Sequence, residues 1–173
     1  GILLGIGETL LERIDSLILI RDTQKRLGNI QEVIIQNFRA KKSPRMGKSV
    51  EPDTVDMLKT LAVARLILGP EMNIQAPPNL NLKDYGSYLD CGINDWGGVS
   101  PLTIDFINPE AAWPQINELR EITSRAEFTL RERTALYPEY IFNSRYSRSG
   151  PMHQRIKQFI DEEGYIKKEM EIC

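Results

Sequence analysis

Short apolar runs alternate with amphipathic stretches along the first half of the chain. The apolar run Ile2–Ile6 is typical of a strand buried on both faces, and Thr9 with Glu12 forms the capping-box pattern that starts a helix. Gly28 is placed to end that helix, before a second strand at Glu32–Phe38. The predicted inward stripe of the first helix comprises Leu10, Leu11, Ile14, Leu17 and Ile18.

The pattern continues with a second helix and a third strand. Pro52 and Asp53 start the helix, and the apolar run Met72–Ala76 predicts the strand, which "PPN" would stop. A loop with Pro44 and Gly47 precedes the helix. Its predicted inward residues are Val55, Leu58, Leu61, Ala62 and Leu68.

The second half carries weaker signals. They predict a short helix over 82–91, a strand at Gly92–Trp96, a helix at Trp113–Ala126 and a short strand at Phe128–Glu132. A further helix is predicted over 152–163, followed by a charged tail. Strands alternating with helices predict an α/β fold with a parallel sheet and right-handed crossovers. Four or five such units are too few to close a (β/α)8 barrel, which needs about 250 residues. The pattern is therefore compatible with a small open doubly wound sheet or with the second half of a barrel.

Composition narrows the choice of partners. The 173 residues carry a net charge of −2, with 22 basic against 24 acidic side chains, so no field attracts nucleic acid or an anionic membrane. No apolar run approaches the roughly 20 residues that span a bilayer. Two cysteines, Cys91 and Cys173, make no disulfide framework, which favours a reducing, cytoplasmic compartment.

The stretch Gly5-Ile6-Gly7-Glu8-Thr9 lies where a strand meets a helix, a common place for a nucleotide. It lacks the third glycine of the dinucleotide fingerprint and the lysine of a Walker loop. Glu8 occupies the positive end of the helix, where a phosphate would otherwise bind. The stretch therefore favours a ligand with an ammonium, a sulfonium or a ribose. The alternative is a tight turn whose carboxylate merely satisfies the helix dipole.

Polar side chains cluster where the predicted strands end, which is where barrel enzymes place their sites. They are Gln36, Asn37, Arg39, Gln75, Asn79, Asn94, Asp95, Trp96, Arg131, Glu132 and Arg133. Buried amides and carboxylates cost free energy unless they have partners, so function is favoured over loop capping. Arg65, His153 and Cys91 are interpreted as structural or incidental. No Cys or His cluster has metal-ligand spacing, so no metal ligand is assigned in this chain.

Several motifs together carry a family resemblance. "GILLGIGET", and "VIIQNFRAK" followed by "TLAVARLIL", resemble the fifth and sixth strand segments of radical S-adenosylmethionine enzymes of the biotin-synthase type. A narrower set, comprising "NIQAPPNL", "GINDWGGVSPLT", "FINPEAAWP" and "LRERTALYPEYI", resembles the family of 7,8-didemethyl-8-hydroxy-5-deazariboflavin (FO) synthases. The resemblance covers roughly residues 1–145 and implies the C-terminal half of a (β/α)8 barrel. Residues 146–173 carry no motif of the family, and their pattern predicts a C-terminal helix and tail.

The resemblance implies a radical lyase with a 4Fe–4S cluster and S-adenosylmethionine. A 5′-deoxyadenosyl radical would abstract hydrogen from an adduct that a partner radical enzyme makes from tyrosine and 5-amino-6-ribitylaminouracil, and ring closure would follow with loss of ammonia. The implied cofactor-binding residues are Gly5, Ile6, Gly7, Glu8, Asn37 and Arg39. The implied substrate-binding residues are Gln75, Asn79 and Trp96, and Asp95 or Glu132 would move a proton.

The main departure from the family is the missing Cys-x-x-x-Cys-x-x-Cys loop, which the resemblance places upstream of residue 1. Cys91 and Cys173 cannot substitute, so we expect this chain alone to build no cluster and to be inactive. A smaller departure is "KKSPRM" at residues 41–46. Two alternatives remain at this stage: a complete α/β module that binds an adenosine-type ligand without radical chemistry, and a non-catalytic half that pairs with a separate N-terminal half.

Overall fold

A computed structural model describes residues 1–41, 49–81, 83–143 and 150–170. The predicted loop with Pro44 and Gly47 lies outside these residues, as does Cys173. The chain divides into two compact units, Gly1–Ala126 and Glu127–Cys173. The boundary between these units lies before the one expected between residues 145 and 146. The expected boundary separates the barrel half from the C-terminal helix and tail, and it stays a prediction.

The first unit contains a parallel sheet in the order β1-β2-β3, formed by β1 (Ile2–Leu4), β2 (Glu32–Asn37) and β3 (Asn73–Gln75). The register aligns Leu4 with Asn37 and Ile34 with Gln75. Val33, Ile35 and Ile74 are fully buried on one face of this sheet, whereas Leu3 and Ile34 on the other face are exposed. The α/β class with a parallel sheet is therefore confirmed. The expectation that the first strand is buried on both faces is wrong, because only Leu4 is buried in it.

Two helices, α1 (Leu10–Leu27) and α2 (Thr54–Leu68), pack against each other, and α2 packs on β2. The capping box of Thr9 and Glu12 is present, Asp53 caps α2, and Gly28 ends α1 with a left-handed φ of 65°.

The predicted inward stripes of both helices are partly wrong. Leu10, Leu11 and Val55 are exposed, while Arg13 is buried. Arg13 is buried because it has anionic partners on two other segments, which a hydrophobic pattern cannot reveal. The buried residues of α2 are Met57, Thr60, Leu61 and Ala64.

The predicted fourth strand, Gly92–Trp96, is reduced to one parallel bridge between Gln75 and Asp95. The segment does lie beside β3, since Asn94 N–H donates to Ile74 O and Ala76 N–H donates to Asp95 O. However, the Asn94 side chain takes the place of a ladder partner, because its Oδ1 accepts from Ile74 N–H at 2.8 Å. Because Ile74 N–H donates to this side chain and not to a backbone carbonyl, the ladder of backbone hydrogen bonds stops there.

The other elements among the described residues of the first unit are helical. Two 3₁₀ helices span Pro78–Asn81 and Tyr85–Tyr88, and the second of them lies within the range 82–91 predicted to be a helix. Helix α3 (Ile116–Arg125) is shorter than the predicted Trp113–Ala126.

The second unit contains α4 (Pro138–Phe142), α5 (Pro151–Phe159) and a 3₁₀ turn at Lys168–Met170. The predicted fifth strand, Phe128–Glu132, does not form. Glu127, just before this segment, has a left-handed φ of 64°. Just after the segment, Arg133 forms an isolated antiparallel bridge with Tyr165.

Candidate functional site

The carboxyl ends of the parallel strands bring several predicted site residues to one edge of the sheet. Gly5 follows β1, Asn37 ends β2, and Gln75 ends β3 beside Asp95. Carboxyl edges of parallel sheets are the usual location of ligand sites in α/β proteins. The first-unit residues expected from the strand ends therefore share one edge.

The Gly5–Glu8 turn is organised by the Glu8 carboxylate. Its Oε1 accepts from Gly5 N–H at 2.8 Å, and its Oε2 accepts from Ile6 N–H at 2.8 Å. Burial opposes ionisation, but these backbone bonds and the Arg13 side chain lower the pKa of Glu8 from 4.5 to about 2. Gly5 has φ 88°, and a Cβ there would lie 2.5 Å from Pro52, so glycine is required.

Arg13 ties this turn to the second helix. Its Nε donates to Glu8 Oε1 at 2.7 Å, and its Nη1 donates to Asp56 Oδ1 at 2.8 Å and to Thr60 Oγ1 at 3.1 Å. Burial works against the charge of Arg13, yet the two carboxylates raise its pKa, so the guanidinium is ionised. The glycine turn thus rests on a buried ion-pair network, and the Glu8 carboxylate is fully engaged within the protein.

Asn37 and Arg39 have different environments. Asn37 is 6% exposed, and its Oδ1 has no hydrogen-bond partner among the described residues, while its Nδ2 lies 3.5 Å from Leu80 O. Arg39 forms a 3.0 Å ion pair with Glu51, which also accepts from Ala40 N–H. Asn37 therefore offers a buried acceptor, and Arg39 is used to hold the segment after β2.

A cavity of about 220 Å³ opens on the face of β2 that carries Ile34 and Gln36. Gln75, Asn79 and Trp96, which the resemblance assigns to substrate, all line it. Amides with aromatic walls can hold a planar polar ligand. The cavity brings together the three predicted substrate-binding side chains, and their role toward a substrate stays a prediction.

Trp96 is a fixed wall of this cavity. Its Nε1 donates to Thr123 Oγ1 at 3.1 Å, and its ring meets Tyr85 edge-on at 5.6 Å. Burial and the bond that Tyr85 donates to Glu118 raise the pKa of Tyr85, so this phenol is neutral. Because its N–H is used, Trp96 can offer a ligand only its ring.

Gly97 makes room for the neighbouring amide. A Cβ at Gly97 would lie 2.1 Å from Gln75 Nε2, and the residue has φ 84°. Asp95, placed beside Gln75, accepts from Gly97 N–H at 2.6 Å through its Oδ1. The "DWGG" turn therefore shapes the space that the Gln75 side chain occupies.

Asn79 belongs to a buried polar network with the loop at Asp105–Ala111. Its Nδ2 donates to Asp105 Oδ2 at 2.9 Å and to Ala111 O at 3.2 Å. Asp105 also accepts from Asn108, whose Oδ1 accepts from Lys41 Nζ at 2.8 Å. Burial opposes the charge of Asp105, but the hydrogen bonds that its carboxylate accepts from Asn108, Asn79 and Ile107 lower its pKa.

Glu132, the second predicted proton-moving residue, lies in the second unit. Its carbonyl oxygen accepts from Ile166 N–H at 2.8 Å, next to the bridge between Arg133 and Tyr165. Its catalytic role stays a prediction, as does that of Asp95.

Sequence reasoning missed Asp105, Asn108 and Trp113, which also line the cavity. The signal available was "DFIN", in which Asp105 Oδ1 accepts from Ile107 N–H and Asn108 N–H as in an Asx turn. Such a motif predicts a turn but not the strand ends that the turn will face.

Within 1–41, 49–81, 83–143 and 150–170, no three His, Cys, Asp or Glu side chains are grouped to hold a metal ion. No helix in those ranges has the length and apolarity to cross a membrane.

Comparison with curated proteins gives many similar sequences. The chain is 47% identical over 171 residues to the 7,8-didemethyl-8-hydroxy-5-deazariboflavin synthase of Methanopyrus kandleri, covering 96% of this chain and 49% of that protein. It is 46% identical over 168 residues to the protein of that name from Methanocaldococcus jannaschii, covering 97% of this chain and 45% of that protein. It is 52% identical over 141 residues to the FO synthase of Streptomyces avermitilis, covering 82% of this chain and 16% of that protein.

No family model and no solved structure matches the chain. The chain spans about half the length of the archaeal relatives, and the resemblance expected from its motifs is confirmed. By sequence, this chain is a homologue of part of the 7,8-didemethyl-8-hydroxy-5-deazariboflavin synthases.

Proposed function

We propose that this chain is part of a radical S-adenosylmethionine lyase that forms FO in deazaflavin coenzyme biosynthesis. The observation that carries the proposal is the 47% identity to the Methanopyrus kandleri synthase over 96% of this chain. The reaction is hydrogen abstraction from a hydroxybenzyl-ribityluracil adduct, followed by ring closure and loss of ammonia.

The proposed architecture is the C-terminal half of a (β/α)8 barrel. Two features support it: three consecutive parallel strands in the order β1-β2-β3, and a cavity on the face of β2 opposite its fully buried residues. Barrels place helices outside their strands and the active site at the carboxyl ends of those strands.

The Gly5–Glu8 turn fits an adenosyl group better than a phosphate. Glu8 already occupies the N–H groups of Gly5 and Ile6, so a phosphate would find neither of these donors. Ile6 is 51% exposed and offers an apolar surface to an adenine, and Asn37 Oδ1 can accept from a ribose hydroxyl. S-adenosylmethionine, when bound, supplies the adenosyl radical of this enzyme class.

The residues of this chain do not fit a 4Fe–4S cluster. Clusters are held by sets of Cys thiolates, whereas Cys91 is one thiol whose pKa is raised by burial. The sequence contains one other cysteine, Cys173. No step is assigned here to a cluster on this chain, and the proposal places its ligands on the cysteine loop of the family.

The cavity is the proposed substrate site. Trp96 and Trp113 would flank the ring system, while Gln36, Gln75 and Asn79 would bond ring and ribityl groups. Asp95, at the same strand edge, is the proposed proton acceptor in ring closure. Glu132 is the second proposed residue for this role.

The test uses the full-length native protein under anaerobic conditions with its cluster reconstituted. We expect S-adenosylmethionine to be cleaved and fluorescent FO to appear when the partner enzyme supplies the adduct from tyrosine and 5-amino-6-ribitylaminouracil. The Gln75→Ala variant should lose FO formation, whereas Asn117→Asp, on the exposed surface of α3, should keep it. Binding of S-adenosylmethionine without cleavage and without FO would favour a binding module instead.

A further inference from the structure

The Asp105 carboxylate has all four of its acceptor positions occupied. Its Oδ1 accepts from Ile107 N–H at 2.8 Å and Asn108 N–H at 3.1 Å, and its Oδ2 accepts from Asn79 Nδ2 at 2.9 Å and Asn108 Nδ2 at 3.1 Å. A carboxylate offers about four lone-pair sites. Asp105 lines the cavity, but these bonds direct it to its neighbours rather than to a ligand.

These bonds fix the polarity of Asn79. Both partners of its Nδ2, the Asp105 carboxylate and the Ala111 carbonyl, can only accept hydrogen bonds. The amide therefore cannot be turned end for end without facing oxygen with oxygen. Asn108 is fixed in the same way, because its Nδ2 meets Asp105 and its Oδ1 meets the donor-only ammonium of Lys41.

One atom of the network is left over. Asn79 is 2% exposed and lines the cavity, and its Oδ1 has no hydrogen-bond partner in the described residues. A buried acceptor without a partner is costly, and native proteins keep few of them. The polar atom that Asn79 can offer a ligand is thus a carbonyl oxygen.

We infer that Asp105 is a positioning residue that locks Asn79 as a hydrogen-bond acceptor, so that the cavity selects a ligand with an N–H or O–H group at this point. The inference rests on the proposed function, whose substrate carries both a uracil ring N–H and ribityl hydroxyls. Asp105 itself touches no reacting atom in this scheme.

The test compares FO binding, followed by its fluorescence, in the full-length protein and its variants. Asp105→Asn keeps an oxygen for the N–H groups of Ile107 and Asn108 but turns the other position into a donor. The new NH₂ faces the NH₂ groups of Asn79 and Asn108, and turning Asn79 end for end would place its Oδ1 against Ala111 O, so the Asn79 oxygen is no longer held toward the ligand. We expect FO to bind about tenfold more weakly.

The double variant Asp105→Asn with Asn79→Asp should recover a small part of this loss, because an aspartate at position 79 can accept from both the new amide and the ligand, although one of its oxygens then faces Ala111 O. Asn79→Leu removes the acceptor while leaving Asp105 in place, and it should also bind about tenfold more weakly. Asn117→Asp is the control and should bind as the parent protein does. FO affinity that is unchanged in Asp105→Asn, or in Asn79→Leu if the first variant does not fold, overturns the inference.

A measurement without ligand separates this inference from the proposed function. The side-chain amide resonances of Asn79, observed by NMR after ¹⁵N-asparagine labelling, should be shifted by the carboxylate in the parent and should move in Asp105→Asn. If the parent protein does not bind FO, the proposed function fails for this cavity. If the Asn79 resonances are the same in both proteins, the polarity lock itself is refuted.

Discussion

Replacing Glu8 by glutamine should weaken the glycine turn. The carboxylate accepts from Gly5 N–H, Ile6 N–H and Arg13 Nε, and the amide of a glutamine in its place would turn an NH₂ group toward one of these donors. Because the pKa falls from 4.5 to about 2, the folded protein stabilises the ionised Glu8 carboxylate over the protonated form by roughly 3 kcal/mol. Because solvent reaches the turn, we expect Glu8→Gln to cost about 2 kcal/mol at pH 7.

The pH dependence gives this prediction its sign. The folded pKa of Glu8 is below the unfolded value, so its contribution is complete above pH 4.5 and is lost as the pH falls toward 2. The difference in unfolding free energy between parent and Glu8→Gln should therefore be constant from pH 7 to pH 5. It should shrink to roughly half by pH 3.

Urea unfolding of the full-length protein at several pH values measures this difference. The matched control is Glu12→Gln, one turn along α1, where the capping box accepts glutamine equally well, so stability should stay close to that of the parent. A Glu8→Gln protein as stable as the parent at pH 7 would refute the argument. So would a destabilisation that does not change between pH 7 and pH 3.

Two other variants probe the cavity wall. Gly97→Ala should lower the free energy of unfolding by about 1–2 kcal/mol, because Gly97 has a left-handed φ. It should also weaken FO binding, because the new Cβ displaces the Gln75 amide. The control is Gly98→Ala, whose Cβ would have no atom within 4 Å and which should bind FO normally. Equal FO affinities in the two glycine variants would contradict this. Thr123→Val leaves the buried Trp96 Nε1 without its acceptor and should lower the unfolding free energy by about 1–3 kcal/mol in urea unfolding, and a value within error of the parent would contradict the anchoring role.

The first three strands and two helices could be predicted from the sequence because their signals are local. The capping box at Thr9, the Asp53 cap and the Gly28 terminator each act within a few residues, and all three are present. The fourth strand could not be predicted in its final form. Its ladder depends on whether the Asn94 side chain or a backbone group bonds to Ile74, and that choice involves a segment distant in sequence.

In the candidate site, too, features with a local sequence signal could be predicted, and contacts between distant segments could not. The strand-end argument located Gln75, Asn79 and Trp96, which do share a cavity. It could not identify the side chains that orient such residues. Arg13 and Asp56 are 43 residues apart in the sequence, and Asn79 and Asp105 are 26 apart. Neither contact is therefore visible in the local pattern of hydrophobic and polar residues.

These two networks act on ligand choice in the same direction. Glu8 consumes the N–H groups of Gly5 and Ile6, and Asp105 consumes the NH₂ group of Asn79, so donors that would attract an anion are already paired. The buried side-chain atoms left without partners in the described part of this edge include Asn37 Oδ1 and Asn79 Oδ1, and both are acceptors. At these points of the edge, engaged donors beside unpartnered acceptors disfavour phosphates and favour ligands rich in hydroxyl and N–H groups. A ribose and a ribityl chain are both of this kind, which is why one strand edge can serve the cofactor and the substrate of the proposed reaction.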